Sequence, residues 1–168
     1  ESFTKRLLCV FAVLFLVVTA KTYAQPYINA PLSTGATTSG GTAAPAGYTW
    51  SELQVSLGGN SIGENANIDV GTSVADDFTV PAGQVWNLTK LTVYAYQTNY
   101  TGTTSPFNRI QVRIHSSNPA SGPTTVVFGD FTTNRFAGSS EAMIFRTASA
   151  AGDQARKVWA VEANVVTT

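Results

Sequence analysis

Between residues 108 and 115 the side chains alternate without a break: Ile110, Val112 and Ile114 are apolar, and Arg109, Gln111, Arg113 and His115 are polar. A period of two puts every apolar group on one side of an extended backbone and every polar group on the other, the pattern of a half-buried strand. A helix would scatter the same residues around its axis. This one segment therefore demands a sheet, and an apolar layer for the sheet to rest on.

The rest of the chain agrees with that demand. Strands are expected at 51–55, 74–80, 85–97, 124–128, 142–147 and 157–166, separated by turn signals such as Gly58-Gly59-Asn60, Pro81-Ala82-Gly83 and Gly122-Pro123. In the 85–97 run Leu91, Val93 and Ala95 share one face, and Thr92, Tyr94 and Tyr96 share the other. No segment has a capped helical period; residues 140–147 suit a helix weakly and a strand equally well. Charged residues make up only 12% of the chain, and Thr, Ser, Gly, Val and Ala dominate, which favours sheets with many turns. The expected fold is all-β: an antiparallel β-sandwich, jelly-roll-like, preceded by a signal peptide and a flexible linker.

The N-terminus supplies the signal. Lys5-Arg6 precedes an apolar run over 7–18 that ends near Thr22-Tyr23-Ala24-Gln25, the layout of a secretory leader. Twelve residues fall short of the roughly 20 that a transmembrane helix needs. The expected organisation is a signal peptide over 1–24, a flexible low-complexity linker over 25–47 and a β-sandwich over 48–168, secreted or held at the cell surface, with no membrane span after leader cleavage. The chain starts at Glu1 and stops on a strand-like Val165-Val166, so it reads as a piece of a longer frame. Cys9 is the single cysteine and lies in the leader, so disulfides are not expected to staple the exported part. Beyond the leader 9 acidic side chains stand against 7 basic ones, a balance that gives no basis for nucleic-acid binding.

Several constellations are candidates for chemistry. Asp76 and Asp77, with Asp69 or Glu64 upstream, offer oxygen ligands for a structural Ca²⁺; otherwise no cofactor is expected. Neighbours on a strand point to opposite faces, so clasping one ion would require a bulge. The alternative is that Asp76 caps the strand start and Asp77 faces solvent. A glycosidase pair needs two convergent carboxylates, and nothing in the spacing of Asp76, Asp77, Asp130, Glu141 and Glu162 selects two. His115 is the lone histidine and has no flanking nucleophile, so no catalytic residue is expected. Tyr94, Tyr96 and Tyr100, with Trp86 or Trp159 nearby, could form a platform for sugar rings, with Gln97, Asn99 and Asn108 beside them for hydroxyls, although Trp86, right after a Pro-Ala-Gly turn, suits a core plug better. The same tyrosines equally suit the rim of a core. Arg109, Arg113 and His115 make a basic strand face suited to an acidic polysaccharide or to cross-strand ion pairs.

The stretch Val74-Ala75-Asp76-Asp77-Phe78-Thr79-Val80-Pro81-Ala82-Gly83-Gln84-Val85-Trp86 resembles a recurrent "ADDF-x-V-P-x-G-x-x-W" opening of β-sandwich modules in exported bacterial proteins. Tyr94-Ala95-Tyr96-Gln97-Thr98, Thr125-Val126-Val127-Phe128-Gly129-Asp130, Thr133-Asn134-Arg135 and Tyr48-Thr49-Trp50-Ser51-Glu52 are similar to further stretches of those modules, so the likeness covers about 47–168. The resemblance implies a sandwich that accompanies other domains or a sorting segment read by type IX secretion. It implies no catalytic residues. The expected function is a non-catalytic accessory or adhesive module that meets a glycan or a surface protein. The alternatives are a carbohydrate-binding module of a polysaccharide-degrading enzyme and the N-terminal module of a hydrolase whose active domain lies downstream.

Overall fold

A computed structural model describes residues 26–53 and 61–166. The leader expected over 1–24 lies outside the described residues. Among the described residues six strands carry the fold: β1 (Thr49–Glu52), β2 (Lys90–Tyr96), β3 (Val112–His115), β4 (Val126–Asp130), β5 (Phe136–Thr147) and β6 (Lys157–Asn164). The helical content among the described residues is two short 3-10 turns, Ile68–Val70 and Pro119–Ser121. The chain is all-β. No helix among the described residues is long and apolar enough to cross a membrane.

The strands form a four-stranded sheet of order β1-β5-β6-β2 and a two-stranded sheet of β3 and β4. β5–β6, β2–β6 and β3–β4 are antiparallel, but β1 lies parallel to β5, with Trp50 beside Phe145. The larger sheet is therefore mixed, which corrects the antiparallel expectation: side-chain periodicity reports faces and is blind to strand direction. The expected strand at 74–80 does not pair and is irregular, and the 85–97 run is a strand only over β2. Residues 136–141 were the opposite case. Their Gly138-Ser139-Ser140 core has weak strand preference, yet β5 extends through it because β6 is on hand to pair.

The larger sheet has a clear inner face. Ala95, Trp159 and Glu141 are cross-strand partners and so point the same way, as do Val93, Val161 and Ser139. Further along that face Ala163 and Val165 form a core cluster with Val112 of β3, and Leu88, Ile110, Ile114 and Phe128 pack around it. The alternating residues of 108–115 thus point into the core as their period requires, Val112 being 7% exposed. β3 and β4 meet tightly. Gly129 has φ +78°, and a methyl group there would strike the Val112 carbonyl, so no other residue fits without moving the strands.

At the other end of the sheet the stretch expected to be a flexible linker or a loosely pinned arm bonds to β1 from Thr34 onward. Thr34 N–H donates to Trp50 O (2.7 Å) and Trp50 N–H to Gly35 O (2.8 Å), so this arm covers the outer edge of β1. A tight loop follows, with Thr38 buried, Thr38 N–H donating to Thr42 O (2.9 Å) and the Thr38 hydroxyl donating to Ala150 O. The Trp50 indole N–H donates to Thr42 O (3.0 Å), which satisfies the polar atom of the largest buried side chain. Threonine hydroxyls replace apolar side chains as the adhesive here, and that explains why no apolar period marks the segment.

After β4, Asp130 organises the turn. Its carboxylate accepts from the hydroxyls and backbone N–H groups of Thr132 and Thr133 and pairs with Arg135 (3.3 Å). The Thr132 hydroxyl, followed by the Thr133 and Thr132 backbone N–H groups, holds its carboxyl far below the ordinary carboxylate range.

Two outcomes test this description. Trp50→Ala should destabilise the protein by about 3–5 kcal/mol in urea unfolding, because it empties a site that is 2% exposed, whereas the exposed Val127→Ala should stay within about 0.5 kcal/mol. Because the folded pKa of Asp130 is depressed, its stabilisation is present above the ordinary carboxylate pKa and is lost as pH falls towards the folded value. Asp130→Asn should accordingly lower stability at neutral pH and give a shallower acid limb in melting temperature against pH.

Candidate functional site

The structure brings Tyr94 and Tyr96 of the expected sugar platform to one face of β2 and sets Tyr100 beside Trp159 of the other face. Tyr94 and Tyr96 lie on the outer face of β2, opposite Ala160 and Val158. Tyr94 is 54% exposed, while Tyr96 is half-buried with its hydroxyl against Gly63. Tyr100 packs edge-on against Trp159, which belongs to the inner face, with ring centroids 6.5 Å apart. Its hydroxyl donates to Thr104 O (2.7 Å), closing its own loop. Gln97 is exposed and its carbonyl accepts the Tyr100 N–H (3.2 Å); Asn108 is exposed and its carbonyl accepts from the Asn134 amide (3.2 Å).

Asp69 stands in the 3-10 turn Ile68–Val70, and its N–H donates to the Asn67 side chain (2.9 Å). One Asp76 oxygen accepts the Asp77 N–H (2.9 Å) and the other accepts the Asn29 amide (2.6 Å). No cluster of three or more His, Cys, Asp or Glu side chains suited to a metal is found among the described residues. His115 is half-buried at the end of β3, and its Nδ1 is enclosed without a hydrogen-bond partner.

Around the Asp76–Asn29 bond the chain gathers aromatic rings that sequence spacing did not connect. Phe78 and Trp86 stack nearly parallel, with centroids 5.9 Å apart and an interplanar angle of 8°. Tyr27 leans on both, 6.4 Å from Phe78 and 5.2 Å from Trp86. The Pro81-Ala82-Gly83 turn brings the first two together: Gln84 N–H donates to Pro81 O (3.0 Å), folding Trp86 back over Phe78. The Asn29–Asp76 bond then clamps the arm carrying Tyr27. This triangle stays on the surface, Phe78 being 42% exposed, with Trp86 half-buried among the rings. The Trp86 indole N–H donates to Gln84 Oε1 (3.2 Å), so an amide stands at its rim. The residues in the triangle were legible as apolar; the partnership with Tyr27 was not, since no local period links positions so far apart.

A second cluster sits on the inner face beside the arm. The Tyr48 hydroxyl donates to Glu141, whose carboxylate also meets Lys157 Nζ at 3.4 Å, and Lys157 lies 5.8 Å from the centre of the Trp159 ring. Tyr48 stacks on Phe145 with centroids 4.7 Å apart. The register of β5 against β6 breaks between Glu141 and Phe145, where Met143 takes φ +56°. Four residues of β5 span two of β6 here, and this even excess keeps Glu141 and Phe145 on the same face as their partners Trp159 and Lys157. The Glu141 bond, more than burial or charge, raises the Tyr48 pKa above the ordinary tyrosine value. One carboxylate, one ammonium and one phenol are mutually satisfied here, and the arrangement fastens the arm to the sheet.

A raised folded pKa means that the Tyr48 contribution to stability is present below the ordinary tyrosine pKa and is lost as pH rises through the folded value. Absorbance at alkaline pH should show one of the six tyrosines titrating late. Tyr48→Phe should remove that late step, and Glu141→Gln should return it to the bulk of the curve. Compared with known proteins, the chain matches no family model, no curated protein and no solved structure.

Proposed function

We propose that the chain is a non-catalytic, exported β-sandwich module that recognises a glycan through the Tyr27–Phe78–Trp86 triangle, as an accessory or adhesive part of a larger secreted or cell-surface protein. The single observation that carries this reading is the exposed triangle itself. Pyranose rings present a face of C–H groups that suits aromatic surfaces, and the exposed rings of Tyr27 and Phe78, gathered around Trp86, offer such surface. The rim supplies what sugar hydroxyls need: the Gln84 amide, the Asn29 amide and the carboxylates of Asp76 and Asp77, all exposed. Apolar surface with a few fixed polar groups is the general composition of small-ligand sites.

The two-layer reading draws support from β3, whose Val112 packs with Ala163 and Val165 against the larger sheet. The basic leader and the resemblance of residues 74–86 to exported modules support the compartment. In this arrangement the triangle lies on irregular backbone outside the ladders, where side chains can be exchanged at little cost to the fold.

Glycan-array binding by the full chain checks the proposal. Phe78→Ala and Trp86→Ala should each weaken binding about tenfold, close to 1.4 kcal/mol, while Tyr94→Ala on β2, outside the triangle, should leave it unchanged. Absence of any bound glycan, or binding indifferent to both substitutions, would overturn it.

A further inference from the structure

The outward side of the smaller sheet carries unpaired positive charge. Ile110, Val112 and Ile114 turn to the core, so alternation sends Arg109, Gln111 and Arg113 the other way. Arg109 and Arg113 are both exposed, and among the described residues neither meets a carboxylate. Lys90, Arg135, Arg156 and Lys157 all do. Cross-strand ion pairs, one of the two uses suited to this basic side, are therefore not made. The single acid between residues 107 and 131 is Asp130. It stands opposite Val112, on the core side, and is engaged by Thr132, Thr133 and Arg135. This sheet is basic outward, although the chain beyond the leader holds more acids than bases.

Arg113 is also held in place. Its cross-strand partner is Gly129, which has no side chain, so the arginine is free to lie across β4. Its guanidinium carbon sits 3.8 Å from the centre of the Phe131 ring, itself 46% exposed. A guanidinium stacked on a ring keeps its N–H edge open, and that planar fork matches a carboxylate through two parallel hydrogen bonds. Gln111 stands between the two arginines, and its side-chain amide has no hydrogen-bond partner among the described residues.

We propose that this face binds a linear polysaccharide that carries carboxylates. Arg113 takes one uronate through its fork, Arg109 takes another, and the Gln111 amide meets the hydroxyls between them. Charge complementarity selects an acidic ligand, and two unpaired cations are too few for a nucleic-acid backbone. Phe131 and Val127, both exposed, add apolar surface suited to the C–H face of a pyranose. The site shares no residue with the Tyr27–Phe78–Trp86 triangle and does not depend on it.

Titration calorimetry of the full chain with polygalacturonate at low salt should give a binding heat that fades as salt is added, and neutral dextran should give none. Arg113→Ala should raise the Kd at least about tenfold with an unchanged melting temperature. Arg113→Lys keeps the charge without the planar fork, and Phe131→Leu keeps the arginine without its ring. Each should raise the Kd about threefold. Phe78→Ala should leave the affinity as it is, which separates this site from the triangle. No heat with polygalacturonate, or binding that Arg113→Ala leaves intact, would overturn the proposal. Equal affinity for polyglutamate would overturn it too, because charge alone would then be recognised.

Discussion

Everything in the fold leans on β6. It pairs with β5 on one side and β2 on the other, and its inner residues Ala163 and Val165 meet Val112 of the smaller sheet. Its Trp159 and Lys157 line the cluster that receives Tyr48 of the arm. Burial follows from this centrality: Val158, Trp159, Val161 and Ala163 are all buried, the densest run in the chain. Val158 and Trp159 lie on opposite faces and are both buried, so this part of β6 is covered on both faces and can be apolar on both.

What the sequence disclosed was the face of each residue. The alternation at Ile110, Val112 and Ile114 survives intact because a one-residue slip would turn all three to water. What it withheld was set by partners. Residues 74–80 have every local attribute of a strand, yet they stand outside both sheets, because strand propensity has no effect without a neighbour to bond. Conversely, Gly138-Ser139-Ser140 became strand on the strength of β6 alone. The arm is the clearest case of concealment: its contacts are backbone N–H and threonine hydroxyl groups donating to carbonyls, and those leave no imprint on hydropathy.

The candidate site escaped the sequence for a related reason. Trp86 after its turn suits a core plug by residue type, yet the Pro81-Ala82-Gly83 turn folds it against the exposed Phe78 at the surface. Tyr27 and Asn29 come from the arm, and only the Asn29–Asp76 bond brings them there. The tyrosines of β2 looked better as a platform because they share a strand. Once β2 is placed, alternation puts Tyr94 and Tyr96 on the face opposite Trp159, where Tyr100 packs.

The parallel contact of β1 with β5 bears on the order of assembly. β5 and β6 are joined by a short connection, so their pairing closes a small loop at little entropic cost. Thr49 meets Ile144 only after the whole intervening chain has been drawn in, and the entropy of that closure is lost before any β1 bond forms. The arm must arrive with β1 or later, since its anchor is Trp50. Closure entropy therefore favours the β5–β6 hairpin over the β1–β5 contact, and the outer flank of β5 is covered only when the long-range pairing is made.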